Sequence, residues 1–183
     1  MNARPECDAD CEMLVSPIPR PKAPAFHVSV RSTKRRVYFV DTWKPNSLAI
    51  LRRTKALLDA RGVPTSDIWS KSDPGRPLTG VELDRIAREG EGCLVLLGVA
   101  DCGSCSSSSS LDAILLQQRG VTAAPVLTAP FAGVLSRVAS IWQADDVLPS
   151  IVLEHPIQDL GAAGVERRAS DLAQAVERLL PSP

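Results

Sequence analysis

Aromatic residues are scarce in this 183-residue chain: three Trp, three Phe and one Tyr, 4% of the total. A core must therefore be assembled from Leu, Val, Ile and Ala. Net charge is missing too, since 21 Lys and Arg balance 21 Asp and Glu. Nucleic acids and anionic membranes are bound through a basic surplus, so this balance offers neither an electrostatic footprint. No stretch approaches the about 18 apolar residues that span a bilayer. The opening "MNARPECDADCEM" lacks the apolar segment of a signal peptide. A soluble, cytoplasmic protein is expected, in a compartment where thiols stay reduced. Five cysteines are too few, and odd in number, for a disulfide framework. Paired cysteines here would be reactive or metal-binding rather than structural staples.

What is present divides into two parts. Residues 1–30 include "SPIPRPKAPAF", with four prolines and no helical or strand period. This reads as an extended or disordered N-terminal arm. Cys7 and Cys11 lie in it at C-x3-C spacing, with no second pair of ligands nearby. Residues 31–183 have the length of one domain with a full core. There, β-branched or apolar runs alternate with helical spacing. "RRVYFVD" (35–41), "TSDIWSK" (65–71), "CLVLLGVA" (93–100), "TAAPVLTA" (122–129) and "SIVLEH" (150–155) read as strands. Helices are expected over 44–62, 79–89, about 106–120, 130–143 and 164–180. The fold class is α/β: a three-layer, open, mostly parallel sheet of about five strands with helices on both faces. A flavodoxin-like strand order is the expectation.

In such sheets ligands bind beyond the carboxyl ends of the strands, near the topological switch point. The residues that follow the five expected strands are "DTWKPNS", "SKSD", "DCGSCS", "TAPF" and "EHP". Polar and reactive side chains gather there: Lys44, Asn46 and Ser47, then Asp101, Cys102, Ser104, Cys105 and Ser106, then Thr128, Phe131 and His155.

Cys102 would occupy a strand-to-helix turn and Cys105 the first turn of the helix. Unpaired N–H groups and a partial positive charge at that end favour thiolate over thiol. Gly103 and Ser104 let the chain turn without bulk, so both sulfurs can face one side. Ser104 or Ser106 can cap the helix, and neighbouring serines can donate to an anionic ligand. A flexible linker is the bland alternative for five serines in a row. It fits poorly, because "LDAILLQQRG" continues with helical apolar spacing. A structural zinc would need a second pair of ligands, and the remaining Cys7, Cys11, Cys93, His27 and His155 form none. No metal site is assigned, and Cys93 reads as a small core hydrophobe. Lys44 suits an anionic substrate or a neighbouring thiolate; as an alternative it is a plain surface lysine. His155 suits proton transfer at neutral pH or a satisfied structural role.

The block "GVADCGSCSSSSSLDAILLQQRGVTAAPVLTAPF" resembles the UGSC family, named for selenocysteine or cysteine followed by Gly-Ser-Cys. The resemblance also covers the "KPN" after the first strand, Asp112 early in the helix, the pattern RG(I/V)xxxxVxTxxF and the late "HP". It runs from about Arg35 to Leu180. The family is similar to the selenoprotein B-type subunits of glycine and proline reductases. By that resemblance Cys102 holds the position of selenocysteine, a residue recruited for nucleophilic or redox work. Serines stand here where members often carry Thr and Trp, and Trp43 sits within "DTWKPN"; both departures bear on the substrate pocket.

The expected function is thiol-dependent, oxidoreductase-like catalysis on a small molecule. Cys102 would attack and Cys105 resolve, with His155 moving a proton. Lys44, Asn46, Ser47, Asp101, Ser104, Ser106, Thr128 and Phe131 would form the substrate site. No cofactor is expected beyond an external thiol reductant, which a reductant protein can supply. Neither nucleic acid nor membrane is an expected partner; a homodimer is compatible. Two alternatives keep the cysteines: a persulfide-carrying sulfur transferase or lyase in a biosynthetic pathway, and a soft-metal carrier or sensor.

Overall fold

The computed structural model describes residues 32–144 and 148–182. The expected N-terminal arm, with Cys7 and Cys11, lies outside them. Five strands form one all-parallel sheet in the order β2-β1-β3-β4-β5. They are β1 (Val37–Asp41), β2 (Thr65–Ser70), β3 (Leu94–Ala100), β4 (Thr122–Thr128) and β5 (Ile151–Leu153). Between and after them run α1 (Ser47–Ala60), α2 (Gly80–Glu89), α3 (Gly103–Gln117), α4 (Val134–Ile141) and α5 (Ala162–Leu179). This is the expected three-layer architecture, in the flavodoxin-like order.

The continuous apolar strands are explained by cover on both faces. Successive side chains point to opposite sides. Val37, Phe39, Leu94 and Leu96 pack with Ile50 and Leu51 of α1 and Leu172 and Val176 of α5. Tyr38, Val40, Val95 and Leu97 pack with Leu83 and Ile86 of α2 and Leu116 of α3. A smaller cluster joins Ala100, Cys105, Ile114 and Leu127 to Leu135 and Ala139 of α4. The two-faced burial contributes about 25 cal/mol per Å² of apolar area removed from water.

Local chemistry sets the element ends. Thr79 caps α2 through a reciprocal capping box with Glu82. Gly62, at φ 75°, turns the chain after α1. The β1–β2 register slips between Val37 and Phe39, and the Phe39 amide there donates to Ser66 Oγ at 3.1 Å. Where β3 and β4 cross closely, a Cβ on Gly98 would lie 2.6 Å from Val126 Cβ, so only glycine fits.

The fourth helix and the fifth strand are among the elements that are shorter than expected. The helix expected over 130–143 is a 3-10 turn at Ala129–Phe131 followed by α4. Pro130 is the second residue of the turn, and Gly133, a poor helix former, separates it from α4. The fifth strand ends at Leu153 rather than His155. Glu154 gives its carbonyl to Arg168 Nε at 3.1 Å, and Pro156 has no N–H for a ladder. Among the described residues no helix is long and apolar enough to cross a membrane.

Candidate active site

The helices that follow β1 and β3 leave to opposite faces of the sheet: α1 packs on one cluster and α3 on the other. The strands are neighbours, with Asp41 opposite Gly98. Their carboxyl ends therefore flank the switch-point crevice. One wall is the segment after β1, residues 42–46, and the other is Asp101–Cys105.

Cys102 is the N-cap of α3, with extended backbone. Its sulfur accepts from the Cys105 amide at 3.3 Å, and its own amide donates to Cys105 Sγ at 2.9 Å. The pair thus makes a capping box from two sulfurs, satisfying helix-end donors that water would otherwise serve. The Cα atoms are 5.4 Å apart and the two sulfurs are in contact. Exposure separates the two residues: Cys102 is half-buried, whereas Cys105 is 0% exposed in the cluster beneath α4. Ser104 Oγ lies 3.5 Å from Cys102 Sγ.

Immediately before this pair, Asp101 links three strand ends. Its Oδ1 accepts from Thr128 Oγ1 at 2.8 Å and lies 2.5 Å from His155 Nδ1. Its Oδ2 accepts from the Ile157 amide at 3.1 Å. Burial alone would push the Asp101 carboxyl up, but these three partners bring it below the ordinary carboxylate range. The Thr128 hydroxyl has one proton, spent on Asp101, so toward His155 Nδ1, at 3.2 Å, it can only accept. The imidazole proton therefore sits on Nδ1, and Nε2 is left for exchange with a ligand. Phe131 packs edge-on against the ring at 5.9 Å between centroids.

The remaining expected site residues fall at different depths. Asn46, in the left-handed region at φ 62°, spends its amide N–H groups on the carbonyls of Ile157, Gln158 and Leu160. Ser47 is fully buried; its Oγ lies 2.6 Å from Asp41 Oδ1 and receives the Val99 amide at 2.7 Å. Asp101, Ser106 and Thr128 are buried as well. Asn46, Ser47, Asp101 and Thr128 brace the strand tips from behind, whereas the buried Ser106 hydroxyl makes no hydrogen bond. Lys44 and Phe131 are half-buried and Ser104 is exposed, so they border the crevice. The serine run is helical, with Ser106, Ser109 and Ser110 all fully buried. Cys93 is a buried free thiol near the start of β3.

Lys71, just after β2, was not legible as a site residue. Its Nζ donates to Asp112 Oδ2 at 2.7 Å and Ser108 Oγ at 2.8 Å, with both charged side chains at most 1% exposed. Asp112 Oδ1 also receives the Leu78 amide at 2.7 Å. Burial raises the Asp112 carboxyl above its ordinary value, opposed by Lys71 and that amide. Together they bolt the 71–78 loop to α3; a Cβ on Gly75 would lie 3.6 Å from Ser104 Oγ. The loop thereby lies against the CGSC turn. A separate groove of about 600 Å³, lined by Arg36, Tyr38, Trp69, Arg85 and Glu89 among others, lies along β2 rather than at the cysteines. Among the described residues no cluster of three or more His, Cys, Asp or Glu could hold a metal.

No curated protein matches this chain. Among solved structures, the chain is similar to a diflavin flavoprotein A3 from Nostoc sp., at 15% identity and a TM-score of 0.42, covering 80% of this chain and 96% of that one. The model of the UGSC family matches residues 14–182, which includes the CGSC turn, the Asp101–His155 contact and the buried Lys71–Asp112 pair; the chain belongs to the UGSC family.

Proposed function

We propose that the protein is a thiol-dependent enzyme that cleaves a bond of a small molecule reductively. The observation that carries the reading is the unequal exposure of two sulfurs in mutual reach, half-exposed Cys102 at the α3 N-terminus and sealed Cys105 behind it. In the reduced protein the Cys102 thiolate attacks atom Y of a substrate R–Y. A Cys102–S–Y bond forms, the R–Y bond breaks, and R leaves with the electron pair and takes a proton that His155 delivers. The Cys105 thiolate then attacks Cys102 Sγ. The S–S bond forms, and Y departs with its electron pair and is protonated. Substrate gains two electrons and the dithiol becomes a disulfide, which an external thiol reductant reopens by exchange. Asp101 holds the His155 tautomer, and Lys44 offers positive charge at the rim.

The roles are separable without knowing the substrate. With Cys7 and Cys11 replaced by Ser throughout, one equivalent of an aromatic disulfide added to reduced protein releases two equivalents of aromatic thiol, one on attack and one on resolution. Cys105→Ser releases one equivalent and keeps the adduct on Cys102, visible by intact mass. Cys102→Ser releases none at the wild-type rate. Wild-type release from Cys102→Ser overturns the assignment.

A further inference from the structure

The segment between β1 and α1 is built to display one side chain. At its start Thr42 is buried, with its amide donating to the Gly98 carbonyl at 3.1 Å and its hydroxyl to the Val99 carbonyl at 2.8 Å. At its end Asn46 binds three carbonyls after β5, and the Ser47 amide closes back on Lys44 at 3.0 Å. Between these anchors Trp43 has φ 59°, a backbone region that bulky residues avoid. Its side chain is 63% exposed. Folding ordinarily removes an indole from water and a non-glycine residue from the left-handed region. Here both tendencies are overridden at one residue, in a chain with very few aromatics. Strain of this kind persists only where the surroundings impose it, and it marks sites where a group must be held in place.

Trp43 stands at the end of β1, beside the strand that delivers Cys102, so the two lie across the switch-point crevice from each other. Phe131 packs edge-on against the His155 ring, which is held by Asp101, the residue before Cys102. We infer that Trp43 is a specificity-determining residue, and that the substrate carries a planar, unsaturated ring that stacks on its indole while the scissile atom meets Cys102. The inference rests on the proposed thiol chemistry and adds the substrate class. A flat ring gains more from an exposed indole than an aliphatic chain does, through offset stacking and the area it covers.

The test compares two neutral disulfides as electrophiles for reduced protein: dipyridyl disulfide, which carries planar aromatic rings, and hydroxyethyl disulfide, which carries none. Attack by Cys102 is followed in a Cys105→Ser background, where the adduct persists and can be mapped by mass. Trp43→Ala and Trp43→Leu lower the rate with the planar reagent about fivefold and leave the aliphatic rate unchanged; Trp43→Phe keeps most of the preference. The unchanged aliphatic rate also shows that each variant is folded around its cysteines. If the variants react with both reagents as wild type does, the ring-stacking role is wrong and the thiol chemistry stands. If wild-type Cys102 reacts with neither reagent faster than Cys93 in the unfolded chain, the thiol chemistry is wrong and the substrate class falls with it.

Discussion

His155 Nδ1 lies 2.5 Å from Asp101 Oδ1, and Asp101 is the residue before Cys102. The carboxylate that orients the histidine is thereby tied covalently to the turn that carries the nucleophile. Thr128, at the end of β4, bridges the pair from the intervening strand.

Asp101→Asn keeps the volume and removes the directing charge. Nitrogen NMR of the neutral imidazole reports the Nδ1–H form in wild type, and a mixture with substantial Nε2–H in the variant. His155→Gln identifies the signal. An unchanged tautomer in Asp101→Asn shows that the carboxylate does not set it.

The same carboxylate links stability to pH. Its folded value is depressed, so it stabilises the fold above the ordinary carboxyl value of about 3.9, and that contribution is lost as pH falls through the folded value. In urea unfolding the gap between wild type and Asp101→Asn is full near neutral pH and narrows as pH falls below the ordinary carboxyl value. A gap that widens on acidification contradicts the sign.

Lys71→Met leaves Asp112 buried without its cation, at a cost of about 3–5 kcal/mol. Because burial already raises the Asp112 carboxyl, its ionised form is the unfavourable one, and the loss grows as pH rises above the ordinary carboxyl value of about 3.9. The double change Lys71→Met with Asp112→Leu recovers most of the stability. A double variant as weak as the single shows that the pair is more than a compensated charge couple.

Trp43→Gly relieves the left-handed backbone, whereas Trp43→Ala retains the strain. Chemical denaturation places the glycine variant about 1 kcal/mol above the alanine variant. Equal stabilities locate the strain elsewhere in the segment.

The strand–helix alternation was readable because each buried strand is a short apolar run and each helix carries its own period. "CLVLLGVA" and "TAAPVLTA" gave strands within a residue of β3 and β4. The site cysteines, Asp101, Thr128, Phe131 and His155 were readable as residues that follow strands. Lys71 was not: a lone lysine within "SKSD" looks solvated, and its burial depends on Asp112, 41 positions away, reaching back from α3. Likewise, Asn46 and Ser47 looked like helix-start donors facing a ligand. Nothing local reveals that their partners are carbonyls after β5 and a strand-end carboxylate. Long-range pairing decides whether a polar residue faces the crevice or holds up its wall.

The central claim is that Cys102 is poised as a thiolate at the α3 N-terminus, and the pH dependence of its alkylation tests it most directly. With reduced protein, iodoacetamide and mass mapping of the labelled site, half-maximal reactivity is predicted well below the ordinary thiol value of about 8.5. Half-maximal reactivity at or above that value, or a rate no faster than that of the unfolded chain, contradicts the account.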